Sequence, residues 1–177
     1  MGGLVALTLA ARRPELVRAL VVVDIAPEVQ RGGVENIRNF VAATDELDTF
    51  EDFVTRAHAF NPRRTLDNIR ATPAAQPEAA AERPVDLEIR PAAAQSRARV
   101  GEGMGDLWER VATIRCPVLI VRGGESDILA PEVAARFGSI VGAEVRTVAG
   151  AGHSVMGDNP SGFLAAVEPF LAGLPAA

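Results

Sequence analysis

The stretch that decides the fold is Cys116-Pro117-Val118-Leu119-Ile120-Val121-Arg122-Gly123-Gly124-Glu125-Ser126-Asp127. Residues Pro117 to Val121 form a continuous apolar run of strand length, and a Gly-Gly turn closes it. A strand without polar alternation is buried on both faces, as in a parallel sheet covered by helices. Ala19-Leu20-Val21-Val22-Val23-Asp24 is a second run of the same kind, ending in a carboxylate. Ala143-Glu144-Val145-Arg146-Thr147-Val148 reads as a third strand.

Helices fill the intervals. Residues 3–12 are rich in Ala and Leu, and Pro14 limits their extension. Pro131 to Phe137 is a helix with Pro131 suited to its first turn. Ser161 to Leu174 closes the chain, with Phe163, Leu164, Val167, Phe170 and Leu171 on its apolar face. The alternation predicts an α/β fold: a parallel sheet of about three core strands with flanking helices. Three strands make a thin sheet, and the first would leave an unpaired apolar edge. The expectation is therefore an incomplete fold.

Between the first two strands lies a long helical excursion. Residues 34–43 and 48–60 carry Ile37, Phe40, Val41, Phe50, Phe53, Val54, Ala57 and Phe60 at helical spacing. Residues 66–70 continue weakly, and Leu107 to Val111 form a short helix in which Trp108 is expected to anchor on the core. Residues 71–99 have no periodicity and hold ten alanines and four prolines. That composition fits a flexible linker, or a segment read from a shifted frame in GC-rich DNA. The expected organisation is a first core part over 1–28, a helical cap or lid insertion over 29–112, and a second core part over 113–177.

Composition excludes several classes. The chain has 177 residues, 48% of them hydrophobic and 23% charged, a globular balance. Its net charge of −5 offers no electrostatic case for nucleic acid. No stretch approaches the roughly 18 apolar residues of a membrane span. The basic pair Arg12-Arg13 follows the first apolar segment, which is not the order of a signal peptide. A cytoplasmic protein without membrane or nucleic-acid partners is expected. Cys116, the single cysteine, sits before a buried strand and reads as a structural thiol.

In open α/β sheets, functional groups stand just past the carboxyl ends of strands. Asp127 follows the second strand and His153 follows the third, after Gly150-Ala151-Gly152. Adjacent parallel strands would bring the two loops together, and an imidazole oriented by a carboxylate is the general-base half of a nucleophilic triad. Asp24, ending the first strand, is the alternative acid. His58, flanked by Ala57, Ala59 and Phe60, reads as structural or pocket-lining.

With these residues in place, the chain resembles the C-terminal part of the α/β-hydrolase fold. Four segments carry the likeness: Met1-Gly2-Gly3 before an Ala-rich helix, Val21-Val22-Val23-Asp24-Ile25-Ala26-Pro27, the Cys116–Asp127 stretch, and Gly150-Ala151-Gly152-His153 with Asn159-Pro160 after it. In that superfamily the nucleophile stands in a Gly-x-Ser-x-Gly elbow, and the chain order is Ser, Asp, His. The resemblance implies Asp127 as acid and His153 as base, with Asp24 a position some members use instead. It implies Met1 as the residue after the serine, supplying one oxyanion-hole N–H, and Gly2 as the last glycine of the elbow. The serine itself is not in the chain. None of Ser96, Ser126, Ser139, Ser154 and Ser161 has glycines at the elbow's spacing, Gly152-His153-Ser154-Val155-Met156 coming nearest.

The resemblance thus implies a serine hydrolase of a small-molecule ester, thioester or lactone, needing no cofactor and no metal. The expectation for these 177 residues alone is inactivity, for want of a nucleophile. A non-catalytic binding protein, or a truncated gene product without function, is the alternative.

Overall fold

The structure is a computed structural model that describes residues 2–42, 49–71 and 106–175. It divides into two compact units, residues 1–35 with 103–177, and residues 36–102.

The first unit holds the sheet. Strands β1 (Leu20–Val23), β2 (Val118–Gly123) and β3 (Glu144–Val148) lie parallel in the order β1-β2-β3. In β1–β2, Leu20 pairs with Val118 and Val23 with Val121. In β2–β3, Leu119 pairs with Glu144 and Gly123 with Val148. The carboxyl ends of all three strands therefore fall together at one edge of the sheet.

The central strand explains its own sequence. Side chains alternate across a strand, so Val118 and Ile120 face one way and Leu119 and Val121 the other. Val118 and Ile120 join a core with Leu7 and Ala10 of α1 (Gly2–Arg12), Leu107 and Val111 of α5 (Leu107–Val111), and Ala134 and Phe137 of α6 (Pro131–Val141). Leu119 and Val121 join a second core with Val148, Ala151, Val155 of the short α7 (Val155–Asp158), and Ala166 and Val167 of α8 (Pro160–Ala172). Leu119, Ile120 and Val121 are wholly buried. Each contributes about 1.5–3 kcal/mol by leaving water. Trp108 packs on the first core as expected, edge-on to Phe137 at 6.2 Å, and the Arg136 guanidinium lies 4.2 Å above its ring.

Several boundaries move from the sequence reading. Strand β2 runs on through Arg122 and Gly123, because pairing with Thr147 and Val148 outlasts the apolar run. Helix α6 extends to Val141, and Gly142 stops it in the left-handed conformation at φ 66°. A 3-10 turn at Pro14–Leu16 and helix α7 were too short to show periodicity.

Helix α2 (Arg31–Ala42) begins in the first unit. In the second unit, α3 (Phe50–Phe60) opens with a capping box: the Asp52 amide donates to Thr49 Oγ1 at 3.1 Å, and the Thr49 amide donates to Asp52 Oδ2 at 3.0 Å. Helix α4 (Leu66–Arg70) is capped by Thr65, which accepts from the Asn68 amide at 3.1 Å. Phe40 stacks on Phe60 at 4.2 Å. His58 donates from Nδ1 to the Arg64 carbonyl at 2.8 Å, a structural bond. Most of the Ala- and Pro-rich segment, from residue 72 on, lies outside the described residues, as does Met1. No helix among the described residues is long and apolar enough to cross a membrane.

Candidate active site

The site forms where β1, β2 and β3 end. Asp24 follows the last residue of β1, and its amide still donates to the Val121 carbonyl of β2 at 2.8 Å. Its backbone then turns into the left-handed region, at φ 50°. Aspartate tolerates that conformation better than most residues. The turn ends the strand, and the side chain is completely buried.

Three donors surround the Asp24 carboxylate. The Gly123 amide donates to Oδ1 at 2.9 Å. The Ser126 hydroxyl donates to Oδ2. His153 Nδ1 donates to the same Oδ2 at 3.0 Å. The carboxylate accepts, so Nδ1 carries the imidazole proton. In the neutral form of the ring Nε2 is then the lone-pair nitrogen, and among the described residues nothing is bonded to it. The His153 side chain is 40% exposed, in contrast to its buried partner.

The carboxylate bonded to His153 is that of Asp24, the alternative acid in the sequence reading. Gly123 supplies the physical reason. A Cβ there would collide with the Gly152 carbonyl oxygen and lie 2.7 Å from that of Ala151. Only a bare backbone lets the loop after β3 cross the end of the central strand, which carries His153 over β2 to the end of β1. The loops after β2 and β3 do meet, as expected, but through backbone: Gly124 N–H donates to Val148 O and Glu125 N–H to Ala151 O, both at 2.8 Å. Asp127 is exposed, and its carbonyl packs against Gly33, where a Cβ would leave no room.

Other residues hold these loops. Ser126 is buried and bridges the loop to Asp24. Arg122, also buried, donates from Nε to Leu129 O at 2.8 Å and from Nη1 to Gly124 O at 3.3 Å. The Gly152 amide donates to Asp158 Oδ2 at 2.8 Å, which fixes the backbone just before His153. Asn159 donates to Ala149 O at 3.0 Å and accepts from the Gly162 amide at 2.9 Å, tying the His153 loop to the start of α8. Sequence reasoning assigned no such role to Arg122 or Asp158. Ser154, beside the base, caps no amide of α7 with its side chain. Among the described residues, no group of three or more His, Cys, Asp or Glu side chains could hold a metal ion. Met1, expected to give an oxyanion N–H, lies outside the described residues.

The model of the alpha/beta hydrolase family matches residues 1–167. A 2-(acetamidomethylene)succinate hydrolase of Mesorhizobium japonicum is 29% identical over 174 residues, covering 97% of this chain and 61% of that protein. A 3-hydroxybutyrate-oligomer hydrolase of Cupriavidus necator is 28% identical over 153 residues, covering 77% of this chain and 50% of that protein. The crystal structure of an alpha/beta hydrolase from Novosphingobium aromaticivorans superposes with a TM-score of 0.63 at 27% identity, over 96% of this chain and 62% of the other. The chain thus spans between half and about three fifths of the relatives it matches. With the three parallel strands, their covering helices and a family model matched over nearly its whole length, the chain belongs to the alpha/beta hydrolase family.

Proposed function

We propose that this chain carries the acid and the base of a serine-type hydrolase, with His153 as general base and Asp24 as the residue that orients it. The observation that carries the reading is the hydrogen bond from His153 Nδ1 to the buried Asp24 Oδ2. It leaves Nε2 to take a proton from an attacking hydroxyl and return it to the leaving group. As the ring becomes cationic, Asp24 lies beside the new charge and stabilises it.

The nucleophile in this reading is a serine in the family's elbow. Ser126 cannot serve, because its hydroxyl proton is committed to Asp24. Since no hydroxyl among the described residues bonds to Nε2, the proposal for the 177 residues alone is no turnover. The insertion over residues 29–112 is a cap in this reading. The substrate class is a small-molecule acyl compound. Two of the relatives are named for hydrolysis of 2-(acetamidomethylene)succinate and of 3-hydroxybutyrate oligomers.

The test is hydrolysis of p-nitrophenyl acetate by this chain fused behind the preceding part of the Mesorhizobium relative, joined within a Gly-x-Ser-x-Gly elbow. The fusion is expected to turn over the ester, and His153→Ala to remove that turnover. Unfused, the 177 residues should match their own His153→Ala variant. Turnover by the fusion that survives His153→Ala overturns the proposal.

A further inference from the structure

Ser126 occupies the loop where the resemblance led us to expect the acid at the next residue. It is buried, and its Oγ is saturated. Two backbone amides donate to it, from Ile128 at 3.0 Å and Leu129 at 3.2 Å. With two donors occupying the oxygen's lone pairs, its single proton is left for a third direction. That direction is Asp24 Oδ2, the oxygen that His153 also uses. Meanwhile Oδ1 is held by the Gly123 amide at 2.9 Å. Both oxygens of the carboxylate are thereby fixed, and rotation of the group would break bonds at each end.

We propose that Ser126 is a positioning residue for the acid–base pair: its hydroxyl, aimed by the Ile128 and Leu129 amides, fixes the Asp24 oxygen to which His153 Nδ1 donates. This rests on the reading of Asp24 and His153 given above. Ser126 touches no reacting atom in that reading. It transmits the geometry of the loop after β2 to a carboxylate at the end of β1, and so links all three strand ends. A serine suits the role because a small hydroxyl can accept twice and donate once in a buried space. An alanine would leave both amides without an acceptor and Oδ2 with His153 as its remaining donor.

The experiment is NMR of the 15N-labelled 177-residue protein, following the His153 Nδ1–H proton and its exchange with solvent. The wild type is expected to show a downfield, protected Nδ1–H signal that Asp24→Ala abolishes. In Ser126→Ala the signal should move upfield and exchange at least about tenfold faster. Ser126→Thr, which keeps the hydroxyl, should restore much of the protection. A purely structural role would leave the Nδ1–H signal unmoved in a variant that still melts cooperatively. Unchanged shift and exchange in folded Ser126→Ala overturn the inference alone. A wild-type protein without an Asp24-dependent Nδ1–H signal overturns the reading beneath it. Should Ser126→Ala fail to fold, the wild type still decides. The inference requires a slowly exchanging Ser126 hydroxyl proton with cross-peaks to the Ile128 and Leu129 amides, and a freely exchanging hydroxyl contradicts it.

Discussion

Replacing Asp24 by Asn keeps the shape of the side chain and removes its charge, and the cost follows from the three donors around it. With the new amide oxygen in the place of Oδ1, the Gly123 N–H keeps its acceptor. The NH2 group then faces the Ser126 hydroxyl and His153 Nδ1–H. Turned over, the oxygen serves Ser126 and His153, and the NH2 group faces the Gly123 N–H. In either orientation at least one buried donor loses its acceptor, at about 1–3 kcal/mol. The surviving bonds change from charge-assisted to neutral, which removes roughly a further 1 kcal/mol. The sum is about 2–4 kcal/mol, or roughly 5–15 °C in Tm for a chain of this size. Urea unfolding followed by the fluorescence of Trp108, the single tryptophan, measures it directly. Asp127→Asn, at an exposed position, is expected to cost less than about 0.5 kcal/mol. The reasoning is refuted if Asp24→Asn is as stable as wild type, or if Asp127→Asn costs more.

Three further outcomes are expected. At φ 50°, Asp24→Gly should be more stable than Asp24→Ala by about 1 kcal/mol, since both lose the carboxylate and only Ala strains the backbone; equal stabilities would contradict the left-handed turn. The Arg70 guanidinium, by hydrogen bonding, holds the Glu51 carboxyl below its ordinary value of 4.5, and Arg146 does the same for Glu144. A carboxyl lowered on folding stabilises above its unfolded value and loses that contribution as pH falls through its folded value. The small difference in Tm between wild type and Glu51→Gln or Glu144→Gln should therefore be present at neutral pH and vanish in acid; a difference that grows in acid would contradict the pairing. Burial pushes the Cys116 thiol above its ordinary 9.0, so alkylation by iodoacetamide at pH 8 should be slower folded than in urea, and equal rates would refute this.

The sheet was legible because burial on both faces leaves an unmistakable apolar run. Leu119, Ile120 and Val121 satisfy two cores at once, and no alternating strand could. His153 stood out because its glycine-flanked loop follows the last strand. The partner of His153 was not legible in the same way. Asp127 and Asp24 both follow strands, and the Gly-Gly turn before Asp127, which resembles the superfamily's usual acid loop, favours Asp127. The deciding residue is Gly123, whose missing side chain lets the next loop cross to β1. That is a contact between residues 29 apart, and nothing in the local sequence separates it from an ordinary turn glycine. Ser126 was weighed only as a nucleophile, because its partner lies 102 residues away. The one earlier signal was Asp24 itself: a carboxylate at the end of a fully apolar strand must find donors in the neighbouring loops.

The most direct test of the account is the 15N spectrum of the His153 ring across three proteins: wild type, Asp24→Ala and Asp127→Ala. The proton is expected on Nδ1, with a bare Nε2, in wild type and Asp127→Ala, and a mixture of tautomers in Asp24→Ala. A ring whose tautomer changes with Asp127 and ignores Asp24 would contradict it.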